Sequence, residues 1–291
     1  MWSAAYLAPD ADETLRRRAA AALARLAACT LCARRCGADR TAGIRRATCR
    51  IGAEARVAAV EAVAGGLLDG TADILFAGCN LRCLGCSTAP ASWDGQGQPV
   101  DGDALAGHML AAQGRGCRMV VLSSPSHVPA QILDALARAA GRGFCLPLAW
   151  ASGGYDSPET LALLDGVIDL YVLDFKHGEG TAARVCAGVG DYPRVAARAA
   201  ADMLRQVGPL CLDERGRARR GLLVRHLVLP NDLGGSAAVF KALPPGTAVQ
   251  VLDDYRPLHR ASRAPKLNRR PSADEVAAAR QAAMAAGMRL V

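Results

Sequence analysis

The chain has 291 residues, of which 51% are hydrophobic and only 4% aromatic, with 35 Lys and Arg residues, 27 Asp and Glu residues and 11 cysteines. A chain this long and apolar can bury a core, which excludes a disordered protein and a small disulfide-held scaffold. The net charge of +8 is spread along an Ala- and Arg-rich sequence with few aromatic residues for base stacking. We therefore interpret it mainly as solvated surface and expect no nucleic-acid partner; an anionic ligand or acidic partner is the alternative.

No stretch reaches the ~20 consecutive apolar residues that a membrane span needs. Pro9 and Asp10 interrupt the N-terminal sequence before a signal-peptide core can form. We expect a cytoplasmic protein with no membrane association. In that reducing compartment, clustered cysteines more often bind metals or carry out redox chemistry than form disulfides.

The elements follow from periodicity along the chain. Residues 11–28 are predicted to form an amphipathic helix, and residues 29–52 are polar, rich in Cys and Arg, and without clear periodicity. From residue 73 onward, short β-like runs alternate with helical windows. The predicted strands are 73–77, 118–124, 144–150, 168–175, 221–229 and 247–253. The predicted helices are 101–113, 129–141, 157–165, 191–207, 233–243 and 272–287.

This alternation predicts an α/β fold. Near-continuous apolar strands separated by helices indicate a parallel sheet covered by helices, and six units favour a partial (β/α)6 TIM-like barrel over a complete one. We expect an N-terminal helical and Cys-rich metal-binding extension over residues 1–70, the barrel over residues 71–260, and a C-terminal helical segment over residues 261–291. Ligands are expected at the carboxyl ends of the strands.

The motif ILFAGCNLRCLGC places three cysteines directly after the first predicted strand. Thiolates are soft ligands suited to iron-sulfur clusters and zinc, and three from one loop can hold a single metal centre. Three thiolates leave a four-iron cluster one ligand short, so that one iron keeps an open position. A structural zinc loop with its fourth ligand elsewhere is the alternative. The candidate ligands are Cys79, Cys83 and Cys86.

A second group of cysteines lies in the N-terminal segment. Four thiolates there could close a tetrahedral zinc site or a fully ligated four-iron cluster, and either would leave no open position. The candidate ligands are Cys29, Cys32, Cys36 and Cys49, with Arg34, Arg35, Arg45, Arg46 and Arg50 expected to offset the negative charge. The remaining cysteines, Cys117, Cys145, Cys186 and Cys211, are interpreted as small buried side chains.

Several ordered phrases, taken together, resemble one family. They are CTLCARRCG, GCNLRCLGC, SSPSH, ASGGY, DGVIDLYVLDFKH, RGLLVRHLVLP and DDYRP. The sequence resembles the radical SAM superfamily, and within it the branch of pyruvate formate-lyase activating enzymes and relatives that carry an N-terminal Cys-rich segment. The resemblance extends over residues 29–290.

The resemblance implies that Cys79, Cys83 and Cys86 hold a 4Fe-4S cluster whose remaining iron is chelated by the amine and carboxylate of S-adenosylmethionine (SAM). Reductive cleavage of SAM would then give a 5′-deoxyadenosyl radical that abstracts hydrogen from a substrate. The implied cofactors are this cluster and SAM. The N-terminal cysteines would add a second 4Fe-4S cluster or zinc.

Five residues are candidate SAM contacts by the same resemblance. Asp174 and Lys176 match an Asp-x-Lys pair on the fourth strand, where period-two alternation puts both on one face. Arg225 begins the fifth-strand phrase RHLVLP and could bind a carboxylate bidentately. Ser124 and Ser152 are assigned by their location after the second and third strands. A salt-bridged strand end and loop-capping serines are the alternatives.

Other positions are secondary candidates or depart from the family pattern. His127 and Tyr255 could face the substrate, whereas His226 is expected to point outward. Gly85 stands where related proteins have an aromatic residue against the adenine, and Leu84 or Trp93 could substitute for it. Ser87 and Thr88 also differ from the usual residues after the cluster cysteines. The altered loop suggests a substrate different from that of standard activating enzymes.

The leading functional hypothesis is a radical SAM oxidoreductase that abstracts hydrogen from a protein or peptide, in the manner of an activating enzyme, with a flavodoxin or ferredoxin as electron donor. The first alternative is a radical SAM enzyme that acts on a small metabolite in a biosynthetic pathway. The second is a noncatalytic metal-binding partner protein. The three-cysteine motif together with Asp174 and Lys176 argues against the second.

Overall fold

The computed structural model describes residues 3–7 and 11–291, so the interruption at Pro9 and Asp10 lies outside the described residues. Its strands, in chain order, are β1 (Ala55–Val63), β2 (Thr71–Phe76), β3 (Gln98–Val100), β4 (Val120–Ser123), β5 (Leu148–Ser152), β6 (Leu170–Asp174), β7 (Cys211–Leu212), β8 (Ala218–Leu227), β9 (Ala248–Leu252) and β10 (Arg289–Leu290). Its α-helices are α1 (Ala11–Ala24), α2 (Ala89–Ser92), α3 (Gly102–Gly114), α4 (Pro129–Ala140), α5 (Pro158–Leu164), α6 (Gly180–Ala187), α7 (Tyr192–Val207), α8 (Ser236–Lys241) and α9 (Ala273–Ala285).

One mixed sheet organises the chain. Its order is β10-β9-β8-β6-β5-β4-β2-β1-β3, with β7 paired to β8 outside that path. The neighbours from β2 through β4, β5, β6, β8 and β9 all pair in parallel. These are the six predicted strands, in the predicted chain order. The partial (β/α)6 TIM-like barrel is therefore confirmed, and the sheet does not close.

The central strands form because both of their faces are covered. Every residue of β5 is buried, and four of the five residues of β6 are buried. The helices begin at local signals that the sequence carries. The Ser157 side chain accepts a hydrogen bond from the backbone of Thr160 at the start of α5, and Ser272 and Glu275 form a capping box at the start of α9.

The sequence did not predict the strands at the two sides of the sheet, which are β1, β3 and β10. β1 pairs antiparallel with β2 and β3, with a register shift between Val57 and Ala59. β1 mixes buried, half-buried and exposed residues, and β3 has only three residues, so neither gives a clear period of two. β10 pairs with β9. The predicted division into three segments stays a prediction, although strands from both flanking segments join the sheet.

The N-terminal helix α1 packs against the helices that cover the sheet. α1 packs against α4, and Leu15, Ala19 and Ala22 are buried on its inner face. Residues 29–52 have almost no regular secondary structure, and their backbone is tied in a tight loop between Cys29 and Ala38. Of the helices in the described ranges, none has the length and apolarity needed to cross a membrane.

Candidate metal and cofactor sites

The three-cysteine loop leaves the carboxyl end of β2, at the end of the barrel where the sequence predicts ligands. The loop has no regular structure, and backbone hydrogen bonds attach it to the end of α6: Arg82 N–H donates to the Ala187 carbonyl and Leu84 N–H to the Cys186 carbonyl. Because these anchors lie between the cysteines, they fix the backbone from which the thiols project.

The three thiols share an electrostatic environment. Burial raises the pKa of Cys79 and raises that of Cys83 to about 12, and the Lys176 ammonium opposes the shift in both. Lys176 interacts with all three thiols, Cys86 included. The Cys86 sulfur also lies 3.0 Å from the Ser92 hydroxyl. The three cysteines are therefore grouped around one cation.

The described thiols are not arranged around a single ion-sized position. Among residues 3–7 and 11–291, no three His, Cys, Asp or Glu side chains converge on the position of a single ion. A cluster of several irons is larger than one ion, so its thiolate ligands stand farther apart. The donor set of three soft thiols from one loop suits such a cluster.

Asp174, Lys176 and Arg225 form one ion network beside these thiols. Arg225 Nε donates to the Asp174 carboxylate at 2.7 Å, and Lys176 Nζ donates to it at 3.4 Å. Burial disfavours the charged carboxylate, but Arg225 and Lys176 outweigh that effect and hold the pKa of Asp174 below its usual value. About a third of each of these side chains remains accessible. A ligand at the barrel mouth can therefore reach them.

A further carboxylate extends this network across the barrel interior. Asp73 on β2 is partly buried and interacts with Ser123 on β4 and with Arg225 on β8. Burial raises the pKa of Asp73, and its Oδ1 has no hydrogen-bond partner within the described chain. An unpartnered buried carboxylate oxygen is costly unless a ligand donates to it. The sequence did not point to Asp73 because it begins the predicted strand 73–77, whereas ligands were expected at the carboxyl ends of the strands.

Tyr192 positions the backbone that carries this network. Its hydroxyl accepts a hydrogen bond from Lys176 N–H at 2.8 Å and lies within donating distance of the carbonyls of Gly153 and Asp174, at 2.8 and 3.0 Å. Tyr192 is fully buried, at the start of α7. The sequence could not identify this role, because a single tyrosine at a helix start carries no motif.

The two serine candidates differ in their surroundings. Ser124 follows β4 in a left-handed backbone conformation, with its side chain partly accessible. Ser152 is buried, and its hydroxyl donates to Asp156 Oδ2 at 2.6 Å. Gly153, next to it, has no room for a Cβ between Leu81 and Lys176 without a shift. Ser124 is therefore open to a ligand, whereas Ser152 has a partner within its own loop.

The two histidines are buried rather than exposed to a substrate. His127 Nε2 lies 2.8 Å from the Ala77 carbonyl, and burial together with nearby Arg40 lowers the pKa of His127 to about 3. The expectation that His127 faces the substrate is therefore wrong. His226 points outward from the barrel, as expected, but it is buried there and contacts the Phe175 carbonyl and the Ser236 hydroxyl.

The surroundings of Gly85 explain why an aromatic residue is missing there. An added Cβ would meet the Tyr255 hydroxyl at 2.8 Å, so the ring of Tyr255 already fills that space. Tyr255 is itself buried and donates to the Leu267 carbonyl. Trp93 donates its indole N–H to the Cys83 carbonyl at 3.1 Å, and the Arg260 guanidinium lies 4.4 Å from its ring centre. Trp93 is thus the accessible aromatic residue in contact with the loop.

The N-terminal cysteines come together in a second place. One cavity is lined by all four of them and by Arg40 and His127. The four are free thiols, and three are buried while Cys36 is partly accessible. Burial raises the pKa of Cys32 to about 12 and also raises that of Cys49. The spacing in the sequence therefore identified a group that is also a group in space.

The remaining cysteines do not all match their interpretation. Cys186 is buried, as expected, and Cys117 is partly buried. Cys145 and Cys211 are exposed, so their interpretation as buried side chains is wrong. Each follows a buried apolar residue, Phe144 or Leu210, but the cysteine itself faces solvent. Neither lies in either cysteine group.

The two cysteine regions contact each other directly. Gly78, the residue before Cys79, has a φ of +78°, and an added Cβ would lie 2.5 Å from the Cys49 carbonyl and 2.6 Å from the Ile51 side chain. Arg82 donates to the Thr48 carbonyl. The N-terminal segment is therefore packed on the backbone of the three-cysteine loop.

No protein-family model matches the chain. An uncharacterized protein of Methanocaldococcus jannaschii is 24% identical over 217 residues, which cover 70% of this chain and 59% of that protein. The chain thus spans less than two thirds of the length of this curated relative. A solved structure of a radical SAM methyltransferase from Sphaerobacter thermophilus aligns with a TM-score of 0.48 and 11% identity, over 76% of this chain and 65% of that chain.

Proposed function

We propose that the chain is a radical SAM enzyme, in which Cys79, Cys83 and Cys86 bind a 4Fe-4S cluster and SAM binds beside it at the mouth of the barrel. The observation that carries this proposal is the grouping of three thiols from one loop around Lys176, which belongs to the ion network of Asp174 and Arg225. When bound, the cluster and SAM supply a reductive cleavage that yields a 5′-deoxyadenosyl radical able to take hydrogen from a substrate.

The charged side chains match the charges of an amino acid. Arg225 contacts Asp174 through Nε, which leaves its terminal nitrogens as donors for a carboxylate. The unpartnered Oδ1 of Asp73 is an acceptor for an ammonium group. We therefore assign Arg225 and Lys176 to the carboxylate of SAM, Asp73 to its amine, and Asp174 to holding the two cations in place.

The strands beneath the site are apolar. β5 and β6 are buried along almost their whole length, and Asp174 lies at the end of β6, two residues after buried Val172 on the same face. Charges next to buried apolar side chains interact more strongly than charges in bulk water. Such surroundings suit a reactive species that water and side reactions would otherwise consume.

For the substrate, we propose a protein or peptide, with an acidic flavodoxin or ferredoxin as electron donor. The sheet does not close, so the barrel is open between its two edge strands, and this supports access by a polypeptide. Around Trp93, which contacts the Cys83 carbonyl, lie Arg82 and Arg260, and this basic surface suits an acidic protein.

The test is anaerobic purification followed by reduction in the presence of SAM. We expect a brown protein with bound iron and sulfide, and release of 5′-deoxyadenosine and methionine in equal amounts. A colourless protein that contains only zinc, or no cleavage under strong reduction, would contradict the proposal. Cleavage lost in a variant of exposed Cys145→Ala would also argue against the assigned ligands.

The substrate is identified by isotope transfer. With cell extract and SAM deuterated at the 5′ carbon, or with deuterated candidate substrates and unlabelled SAM, deuterium should move between 5′-deoxyadenosine and a polypeptide. Transfer to or from a small metabolite only would overturn the polypeptide assignment and leave the radical SAM assignment intact.

A further inference from the structure

Arg40 is a buried cation without a carboxylate partner. It is 1% exposed, and its guanidinium donates to the carbonyls of Ile51, Gly52 and His127 at 2.6–3.2 Å. Its remaining close partner is the Cys29 sulfur, 3.7 Å from Nη1. Carbonyl groups satisfy the hydrogen bonds of a guanidinium but not its charge, and an isolated buried charge is costly.

The other arginines near the N-terminal cysteines have partners elsewhere. Arg34 donates to the Asn80 carbonyl, Arg35 pairs with Glu159, and Arg50 donates to the Trp93 carbonyl. Arg34 also lines the cavity, but within the described residues Arg40 is the buried guanidinium with a hydrogen bond to a sulfur of this group. A negative charge that balances the Arg40 guanidinium is therefore expected in the cavity that Arg40 lines.

We propose that the cavity binds a metal centre through four thiolates and that Arg40 is its buried counter-ion. The ligands are Cys29, Cys32, Cys36 and Cys49, which line this cavity together with Arg40. Each thiol releases its proton to solvent as a sulfur–metal bond forms, and no electron is transferred. A divalent ion or a four-iron cluster with four thiolates carries a net negative charge, part of which one buried guanidinium offsets.

Two other interpretations of the cavity leave Arg40 unexplained. Cysteines that served only as small apolar side chains would enclose a guanidinium in neutral surroundings. Disulfides would likewise remove any negative charge from the sulfurs. A thiolate centre supplies the missing anion without another residue.

The counter-ion also joins the centre to the three-cysteine loop. Arg40 Nη1 donates to the His127 carbonyl, and the His127 ring contacts the Ala77 carbonyl, two residues before Cys79. The path from the Cys29 sulfur to this loop therefore consists of one arginine and one histidine.

The inference can be tested without catalysis. In a background of Cys79→Ala, Cys83→Ala and Cys86→Ala, any bound zinc or iron reports on the N-terminal centre alone. Metal and sulfide per protein are measured after anaerobic purification, and retention is measured by competition with a chelator. The variants are Arg40→Met, which keeps the length but removes the charge, and Arg40→Lys, which keeps the charge. The matched control is Arg45→Met, at an exposed position in the same segment.

We expect the background protein to hold zinc or a 4Fe-4S cluster, and loss of that metal after the additional changes Cys29→Ala and Cys32→Ala. Arg40→Met should weaken retention about 10–100-fold, the range for groups that support metal ligands. Arg40→Lys should lose less, and Arg45→Met should equal the background. If the metal is iron, Arg40→Met should also lower the reduction potential, because removing a nearby positive charge disfavours an added electron.

Three outcomes would overturn the inference: no metal in the background protein, equal retention in Arg40→Met and Arg45→Met, or equal losses in Arg40→Met and Arg40→Lys. The last would mean that packing rather than charge is responsible. If Arg40→Met does not fold, Arg40→Lys and the Cys29→Ala and Cys32→Ala pair still decide whether the centre exists. None of these outcomes affects the proposed SAM cleavage, which depends on other cysteines.

Discussion

The two cysteine regions differ in what surrounds their sulfurs. Beside the three-cysteine loop stand Asp174, Lys176 and Arg225, each about one third exposed at the barrel mouth. The cavity lined by the four N-terminal cysteines has two arginines in its lining, the partly buried Arg34 and the buried Arg40. An incomplete ligand set beside accessible charges suits a site that admits a second molecule. A complete set beside a buried counter-ion suits a closed centre.

The largest expected effect comes from Cys83→Ala. Because Cys83 is one of only three proposed ligands, its loss should reduce SAM cleavage to the background of the uncatalysed mixture while the metal bound at the N-terminal cysteines is retained. The measurements are 5′-deoxyadenosine formation and metal content, with Cys145→Ala as the control. If SAM cleavage persisted in Cys83→Ala, the three-cysteine loop would not be the site of cleavage, and the proposed difference between the two cysteine regions would be wrong.

The next largest effect is expected from Asp174→Asn. The amide keeps a hydrogen-bond acceptor for Arg225 but removes the charge that holds both cations. Hydrogen bonds to charged groups contribute about 1.5–3 kcal/mol, so SAM affinity should fall roughly 10–100-fold. Equilibrium binding of SAM checks this, with bound iron unchanged.

The control for Asp174→Asn is Asp213→Asn. Asp213 pairs with Arg217 in the β7–β8 turn, away from the barrel mouth. Equal losses of SAM affinity in the two variants would mean that the ion network at the mouth has no special role.

A smaller effect is expected on stability at acid pH, and it tests the burial of His127 beside the N-terminal cysteines. The pKa of His127 falls from 6.5 to about 3 on folding, so the unfolded chain takes up a proton between these values and the folded chain does not. The free energy of unfolding should therefore decrease as the pH falls below 6.5, by up to about 1.4 kcal/mol per pH unit for this one group.

Denaturant unfolding of the metal-free protein between pH 7 and pH 4 measures this slope. His127→Gln should flatten it, since glutamine has no proton to gain in this range. An identical slope in wild type and variant would mean that His127 is accessible to solvent. His177, whose pKa is lowered to about 4 by burial, should still contribute in both proteins.

The smallest effect is expected from Arg35→Gln. Arg35 and Glu159 form an ion pair between the N-terminal segment and α5, with nearly half of each side chain exposed. Exposed pairs contribute about 0.2–1 kcal/mol, so the unfolding free energy should change by no more than that. Metal retention should equal that of the wild type, and a marked loss would mean that surface charges contribute to the N-terminal centre.

The sequence contained enough information for the parallel core because its strands are continuous apolar runs. β5 and β6 were predicted to within a few residues for that reason. β1 and β3 could not be predicted, since β1 mixes buried, half-buried and exposed residues without a period of two and β3 has only three residues. The cysteine groups were predictable because most of the cysteines that come together in space are also closely spaced in the sequence.

The supporting side chains were not predictable in the same way. Arg40 is one of many arginines in its segment, and only the folded chain distinguishes the buried one from the exposed ones. Asp73 and Tyr192 act through residues that are distant in the sequence. Burial and long-range hydrogen bonds are properties of the fold, so spacing within a motif does not report them.

The close approach at Gly78 limits how the chain can be divided. With the Cys49 carbonyl only 2.5 Å from where a Cβ would lie, the two backbones touch without an intervening side chain. A shortened barrel beginning at β2 would leave the Gly78 backbone without the Cys49 and Ile51 surface that covers it, and the guanidinium of Arg82 without its Thr48 acceptor. The N-terminal segment is thus part of the packing around the three-cysteine loop rather than a removable module, and a shortened fragment with an intact loop would have to retain it.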